Sequence, residues 1–130
     1  MKRKLSCVLL VDDDEPTNFL NKMLVDEMDM AGHVQVATNG LEALDYLTGA
    51  GPRPELILLN INMPLMDGWE FVDRYKNLEL SQKADALFML TNSLNPNDEK
   101  AALAHDDIAG FLNKPLQKEN LETILDQFFP

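Results

Sequence analysis

The segment at residues 55–69, ELILLNINMPLMDGW, constrains the fold of this chain more than any other. Four consecutive apolar residues end at Asn60, and a run of this length bounded by turn residues is typical of a strand buried on both faces of a parallel sheet. Pro64 disfavours helical backbone in the residue before it, and Asp67 with Glu70 predicts a capping box at the start of the next helix. Asn60 is therefore predicted at the carboxyl end of a central strand, where open α/β sheets bind ligands.

The same alternation of strand and helix continues along the whole chain. Short apolar strands are predicted at residues 6–11, 34–36, 56–59, 86–90 and about 108–112, each followed by a helix. Short connections and right-handed crossovers then favour helices on both faces of one parallel sheet. We predict an α/β fold, a flavodoxin-like (βα)5 doubly wound sandwich with a five-stranded parallel sheet in the order 2-1-3-4-5. Its 130 residues suit a single domain.

Helical periodicity predicts which side chains pack against this sheet. The predicted apolar faces are Leu20, Met23, Leu24 and Met28 in the first helix, Leu41, Leu44 and Leu47 in the second, Phe71, Val72, Tyr75 and Leu78 in the third, and Leu121, Ile124, Leu125, Phe128 and Phe129 in the last. The first helix is predicted to run from Pro16 to about Met30. Asn39 with Glu42 predicts a second capping box. Asn95 and Pro96 predict the start of the fourth helix.

Charge and cysteine content exclude several functions. The net charge of −11 argues against nucleic-acid binding, because phosphate contacts need a basic face. The single cysteine, Cys7, excludes an intrachain disulfide and favours a reducing compartment, where it serves as a small core residue. No apolar stretch approaches the length of a membrane span, and we expect a cytoplasmic protein.

Polar residues follow the predicted strands at one edge of the sheet. They are Asp12 and Asp13 after the first strand, Asn60 after the third, Thr91 after the fourth and Lys114 after the fifth. Two carboxylates with amide or backbone oxygens form the oxygen ligand set that suits Mg²⁺. A hydroxyl and an ammonium group suit the oxygens of a phosphoryl group. Each residue alone has an ordinary structural explanation, but five at matching strand ends predict a phosphate-related site.

The sequence resembles the receiver domain of bacterial two-component response regulators over its whole length. The resemblance depends on VLLVDDD at residues 8–14, ATNGLEAL at 37–44, NMPLMDGWE at 62–70, Thr91, and FLNKPL at 111–116. By this likeness residues 1–130 are expected to form one receiver domain without an output domain. The family is a signalling module, so we do not expect an enzyme.

The resemblance also implies roles for individual residues. Asp13 would bind Mg²⁺ directly, Asp12 would bind it through water, and the backbone carbonyl of Asn62 would be a further ligand. Thr91 and Lys114 would hold the phosphoryl oxygens. Thr91 and Phe111 would form the conformational switch, and the Lys114–Pro115 bond would be cis, as only an X-Pro bond readily allows.

One departure changes the expected mechanism. Asn60 stands where the family carries its phosphoaccepting Asp, and a neutral carboxamide cannot replace a carboxylate as the nucleophile. Asn60 still offers an oxygen to Mg²⁺, but losing a full charge should weaken metal affinity about tenfold or more. The same change removes repulsion from Asp12 and Asp13, which should stabilise the metal-free protein. Two origins remain open: natural loss of the acceptor, or deliberate alteration that locks the unphosphorylated state.

Two function classes follow. The leading hypothesis is a receiver that docks to a histidine kinase or histidine phosphotransfer protein near the site and the first helix, without turnover. A homodimer through the fourth helix, fifth strand and fifth helix would use a second surface. The alternative is a phosphatase of the haloacid-dehalogenase type, which also uses acids after the first strand. Asp12 and Asp14 give its Asp-x-Asp pattern, but the expected Thr or Val does not follow and the chain has no room for a cap.

Overall fold

A computed structural model describes residues 4–92 and 96–130 of the chain. Within these residues five strands alternate with five α-helices, and a short 3-10 helix (Leu80–Gln82) precedes the fourth strand. The strands are β1 (Val8–Val11), β2 (Val34–Ala37), β3 (Leu56–Asn60), β4 (Ala86–Thr91) and β5 (Gly110–Asn113). The helices are α1 (Glu15–Glu27), α2 (Gly40–Thr48), α3 (Gly68–Tyr75), α4 (Pro96–Leu103) and α5 (Lys118–Phe128).

The strands form one parallel sheet in the order β2-β1-β3-β4-β5, which confirms the predicted flavodoxin-like fold. The register pairs Val11 with Leu59 and Asn60 with Leu90, so these strands end close together. Every residue of β1, β3 and β4 is buried, whereas the edge strand β5 is partly exposed. Strands buried on both faces lose the polar alternation of a half-exposed strand, which explains the continuous apolar run of β3.

The core lies in two layers, one on each face of the sheet. Alternate strand residues point to opposite faces, so neighbouring positions contribute to different layers. One layer packs α2 and α3 on the sheet through Leu9, Leu59, Phe71 and Val72, among others. The other packs α1 and α5 through Leu10, Leu58, Val25, Leu121 and Ile124, among others. Cys7 lies just before β1 and not within it, and it is buried, as expected of a small core residue.

The predicted packed face of α1 was correct for Leu24 and Met28, which pack against the core layer of α1 and α5, and wrong for Leu20 and Met23. Leu20 and Met23 are 62% and 42% exposed, and the buried residues of this helix are Asn18, Asn21 and Val25. The Nδ2 of Asn18 donates a 2.7 Å hydrogen bond to the carbonyl oxygen of Asp12, at the end of β1. The helix therefore turns Asn18 toward a strand end whose backbone needs hydrogen-bond partners. Apolar periodicity alone does not detect that requirement.

Several helix ends also differ from the predictions. Leu41 is exposed and Ala43 packs inward in its place. Asn39 accepts from the Glu42 amide, but the Glu42 carboxylate accepts from Thr38 instead of completing a capping box, and these bonds lower the pKa of Glu42.

The Asp67–Glu70 capping box at the start of α3 is complete, as predicted. The remaining differences concern the bounds of three elements and one aromatic residue. Helix α1 ends at Glu27, β1 begins at Val8, and β5 lies about two residues later than predicted. Phe128 is half-exposed, with its ring edge-on against Phe88. The prediction for Asn95 lies outside the described residues.

Candidate functional site

The carboxyl edge of the sheet gathers polar residues from the ends of four strands. Asp12 and Asp13 follow β1, Asn60 and Thr91 are the last residues of β3 and β4, and Lys114 follows β5. Parallel strands end at the same edge, so residues far apart in sequence meet there. We use the term acid pocket for Asp12, Asp13, Asn60, Asn62 and Lys114, which hydrogen bonds join into one group.

Asp12 and Lys114 form the ionic centre of the acid pocket. Lys114 Nζ lies 2.6 Å from Asp12 Oδ2, and the two side chains are only 13% and 4% exposed. The other carboxylate oxygen, Oδ1, accepts a 3.0 Å bond from the Asp14 amide. Burying a carboxylate is costly unless it is paired and hydrogen-bonded, and Asp12 meets both conditions.

Asn60 lies between the two acids and the following loop. Its Nδ2 donates a 2.8 Å hydrogen bond to the Asn62 carbonyl oxygen and lies 3.4 Å from Oδ1 of both Asp12 and Asp13. The side chain is buried, with 7% of the residue exposed. Three acceptor oxygens surround the nitrogen, so this amide orientation turns its two N–H donors toward acceptors, whereas the flipped orientation would place oxygen against oxygen.

The loop after β3 is fixed over Asn60 by backbone hydrogen bonds. The Ile61 amide donates to the Leu90 carbonyl at 3.2 Å, and the Gly68 amide donates back to the Ile61 carbonyl at 2.7 Å. A Cβ atom on Gly68 would lie 2.9 Å from the Asn60 carbonyl oxygen, so only glycine allows this close approach without displacing the backbone. The loop therefore sets the position of the Asn62 carbonyl relative to Asn60.

The three consecutive acids after β1 have different environments. Asp14 is exposed and caps α1, where its carboxylate accepts from the hydroxyl and amide of Thr17. These two hydrogen bonds lower the pKa of Asp14. Asp12 is bound by Lys114, and Asp13 faces Asn60. The acid pocket therefore contains two of the three carboxylates.

The two predicted switch residues lie on the neighbouring strands β4 and β5. Thr91 is buried at the end of β4, and its carbonyl accepts a 2.8 Å bond from the Lys114 amide. Phe111 lies beside Met89 in the register of β5 and β4 and packs against the core layer of α2 and α3. The Lys114–Pro115 peptide bond is cis.

Sequence analysis did not identify two features of this region. Asn18 holds the Asp12 carbonyl, and its own Oδ1 has no hydrogen-bond partner in the described part of the chain. The sequence signal for the Asn18 contact was the spacing of Asn18, Asn21 and Val25 on one helical face.

The second feature is a cavity of about 790 Å³, named here the α1 groove. It extends from the acid pocket along α1, lined by Leu20, Met23 and Leu24 on one side and by Pro115 and Leu116 on the other.

The oxygen atoms of the acid pocket fit a hard divalent cation in their chemistry. The carboxylates of Asp12 and Asp13 and the carbonyl of Asn62 converge on the side chain of Asn60. Mg²⁺ is usually held by one or two carboxylates with other oxygens and water, and this set meets that requirement. The described residues include no cluster of three or more His, Cys, Asp or Glu side chains arranged for a metal. A cation in the acid pocket would therefore depend on two carboxylates and on neutral oxygens.

Comparison with known proteins supports one family. The model of the response regulator receiver domain matches residues 8–126. The crystal structure of a two component response regulator from Cytophaga hutchinsonii is 33% identical, with a TM-score of 0.85 over 97% of this chain and 98% of that one.

Two curated relatives have a similar extent. The two-component response regulator ORR41 from Oryza sativa subsp. japonica is 31% identical, and the match covers 98% of both chains. The chemotaxis protein CheY from Halobacterium salinarum is 30% identical, with 88% of each chain covered. In the described part of the chain, no helix has the length and apolar character needed to cross a membrane.

Proposed function

This chain belongs to the response regulator receiver domain family, and on this premise we propose that it is a receiver that docks to its signalling partner without accepting a phosphoryl group at position 60. The observation that carries the proposal is the position of Asn60. It ends β3 within 3.4 Å of both carboxylates of the acid pocket, where the family likeness expects the accepting carboxylate.

The chemistry of the side chain supports the loss of phosphoryl transfer. A carboxylate attacks phosphorus with a charged oxygen and forms an acyl phosphate. The carboxamide of Asn60 is neutral, its nitrogen lone pair is delocalised, and its Nδ2 already donates to the Asn62 carbonyl. Lys114 and Thr91 would still contact phosphoryl oxygens presented by a partner, although Lys114 is bound to Asp12 in this state.

Mg²⁺ is the proposed metal of the acid pocket. Asp13 would bind it directly, Asp12 would bind it through water, and the Asn62 carbonyl and Asn60 Oδ1 would add neutral oxygens. When bound, the metal would neutralise the two acids and polarise phosphoryl oxygens. Since Asn60 lacks the charge of an aspartate, we expect an affinity about tenfold or more below that of an Asn60→Asp variant, at about 1.4 kcal/mol per decade.

The proposed partner is a histidine kinase or a histidine phosphotransfer protein. The α1 groove opens directly from the acid pocket, and Phe19, Leu20 and Met23 are exposed on the same helix. A partner that presents apolar and basic side chains would match this apolar surface and the acids beside it. Docking without phosphoryl transfer would sequester that partner. Whether Asn60 arose naturally or was introduced to lock the unphosphorylated state, the expected behaviour is the same.

A second surface is proposed for self-association, through α4, β5 and α5. The edge strand β5 is partly exposed, and Leu103 and Phe128 are exposed large apolar residues on the two helices. The phosphatase alternative has no comparable support. Asp14, the second acid of the Asp-x-Asp pattern, caps α1 through Thr17 and does not belong to the acid pocket.

Phosphorylation by a small-molecule donor tests the proposal. The protein is incubated with acetyl phosphate and Mg²⁺, and its intact mass is measured beside those of Asn60→Asp and Asn62→Asp. We expect a gain of about 80 Da, one phosphoryl group, in Asn60→Asp only. Asn62→Asp is the matched control because it places a carboxylate on the neighbouring loop. Labelling of the unaltered protein would show that another residue accepts the group and would overturn the proposal.

A further inference from the structure

Three oxygens from two separate loops converge on a single nitrogen. Asn60 Nδ2 bonds the Asn62 carbonyl at 2.8 Å and reaches Oδ1 of Asp12 and Asp13 at 3.4 Å each. These are the same oxygens that the metal proposal above assigns to a cation. We propose that the Asn60 amide nitrogen is a built-in substitute for this cation, which assembles the pocket without metal and competes with metal for its place.

The arrangement of charge explains why a donor is needed at that point. Lys114 neutralises Asp12 from the side of Oδ2, at 2.6 Å, while Oδ1 faces Asn60. Asp13 is the adjacent acid, and in the described residues the donor that reaches its carboxylate is Asn60. The N–H groups of the amide carry partial positive charge, so they reduce the repulsion between the two carboxylates.

The two ends of the same side chain therefore have opposite effects on metal binding. The oxygen of Asn60 can ligate a cation, but the nitrogen occupies the point where the three oxygens meet. A cation entering there must displace the nitrogen and break its bond to the Asn62 carbonyl. This loss adds to the missing charge, so the residue is an inhibitor of metal binding as well as a weak ligand.

Removal of the whole amide separates these effects. Mg²⁺ is titrated calorimetrically into the unaltered protein, Asn60→Ala, Asn60→Asp and the distant control Asn77→Ala, which truncates an exposed asparagine. We expect Asn60→Ala to bind Mg²⁺ about threefold to tenfold more tightly than the unaltered protein, because water can replace the lost oxygen while the blocking nitrogen is gone. Asn60→Asp should bind more tightly still, and Asn77→Ala should match the unaltered protein. Equal or weaker binding by Asn60→Ala would overturn the proposal.

A metal-free measurement tests the bridging role independently. Urea unfolding with EDTA is measured for Asn60→Ala, Asp13→Ala and the double variant. If the amide bridges the acids, Asn60→Ala should destabilise the protein less when Asp13 is already absent. Additive effects would contradict the bridge. Neither result depends on phosphoryl transfer, so labelling of the unaltered protein by acetyl phosphate would refute the docking proposal and leave this inference standing.

Discussion

At the scale of single residues, the surroundings of each side chain decide its chemistry more than its type does. The acids after β1 illustrate this, since Asp12 is buried against Lys114, Asp13 faces the Asn60 amide, and Asp14 is an exposed cap. Sequence reasoning placed the acids, Asn60 and Lys114 at one edge because parallel strands end together. It could not assign the direction of the Asn60 amide, because that direction depends on the distances to its acceptors.

The ion pair between Asp12 and Lys114 should contribute measurably to stability. Removing the ammonium in Lys114→Met leaves a buried carboxylate without its counter-charge, and we expect a loss of about 3 kcal/mol in the free energy of unfolding. The measurement is urea denaturation at neutral pH. Lys118→Met is the control, because Lys118 is exposed on α5 and should change stability by less than about 0.5 kcal/mol. Similar stabilities of the two variants would contradict the structural role assigned to the pair.

At the scale of helices and strands, the accuracy of prediction depended on what each element contacts. Strand β3 and the capping box of α3 were predicted correctly, because a fully buried strand and a local cap leave clear sequence patterns. The packed face of α1 was predicted only in part, because Asn18 and Asn21 are buried where Leu20 and Met23 were expected, and Asn18 bonds the backbone that follows β1. The inward position of Asn18 depends on its hydrogen bond to the Asp12 backbone, which the apolar periodicity of the helix does not record.

The junction between β3 and α3 should not tolerate a side chain at Gly68. In Gly68→Ala the new Cβ would lie 2.9 Å from the Asn60 carbonyl oxygen and 2.9 Å from Ile61 Cα. Both atoms belong to the backbone and cannot rotate away, so we expect a loss of about 1–3 kcal/mol, which exceeds any helix-propensity gain at this terminal position. Thermal and urea unfolding measure the effect.

Gly32→Ala provides the matched control for that change. Its Cβ would lie 3.5 Å from the nearest neighbouring atom, the backbone oxygen of Ser6, which is an ordinary contact. We expect it to be neutral or slightly stabilising, since alanine restricts the unfolded chain. If both substitutions had the same effect, the close approach of the β3 loop to α3 would not be the cause.

At the scale of the whole molecule, the two ends of the sheet have opposite characters. The carboxyl edge holds the acid pocket and opens into the α1 groove. At the amino edge, side chains anchor the loops to one another and to the helices: Glu55 accepts from the Ser6 amide at 2.6 Å, Tyr46 of α2 donates to the Pro52 carbonyl at 2.7 Å, and Tyr75 of α3 accepts from the Ala84 amide at 2.9 Å. Function and loop anchoring are therefore assigned to different ends of the same sheet.

Tyr75, which is buried, and Tyr46, which is partly buried, make the amino edge sensitive to alkaline pH. Burial is the main reason that the pKa of Tyr75 rises to about 12, and it also raises the pKa of Tyr46. In the unfolded chain a tyrosine loses its proton near pH 10. Between about pH 10 and 12 the unfolded state therefore binds fewer protons than the folded state, and stability falls as pH rises, by up to about 1.4 kcal/mol per pH unit for Tyr75. Below pH 10 this contribution is fully present.

Tyr75→Phe tests this linkage because it removes the titrating group and keeps the ring that stacks on Phe71. The variant should be less stable at pH 8, since the Ala84 amide loses its acceptor, by about 1–2 kcal/mol. Its stability should nevertheless fall less steeply than that of the unaltered protein between about pH 10 and 11.5, because no buried phenol at position 75 resists ionisation. Urea unfolding across this range gives both quantities. A pH dependence identical to that of the unaltered protein would show that Tyr75 titrates equally in the folded and unfolded chain. Burial at the amino edge would then not raise the pKa of the Tyr75 phenol.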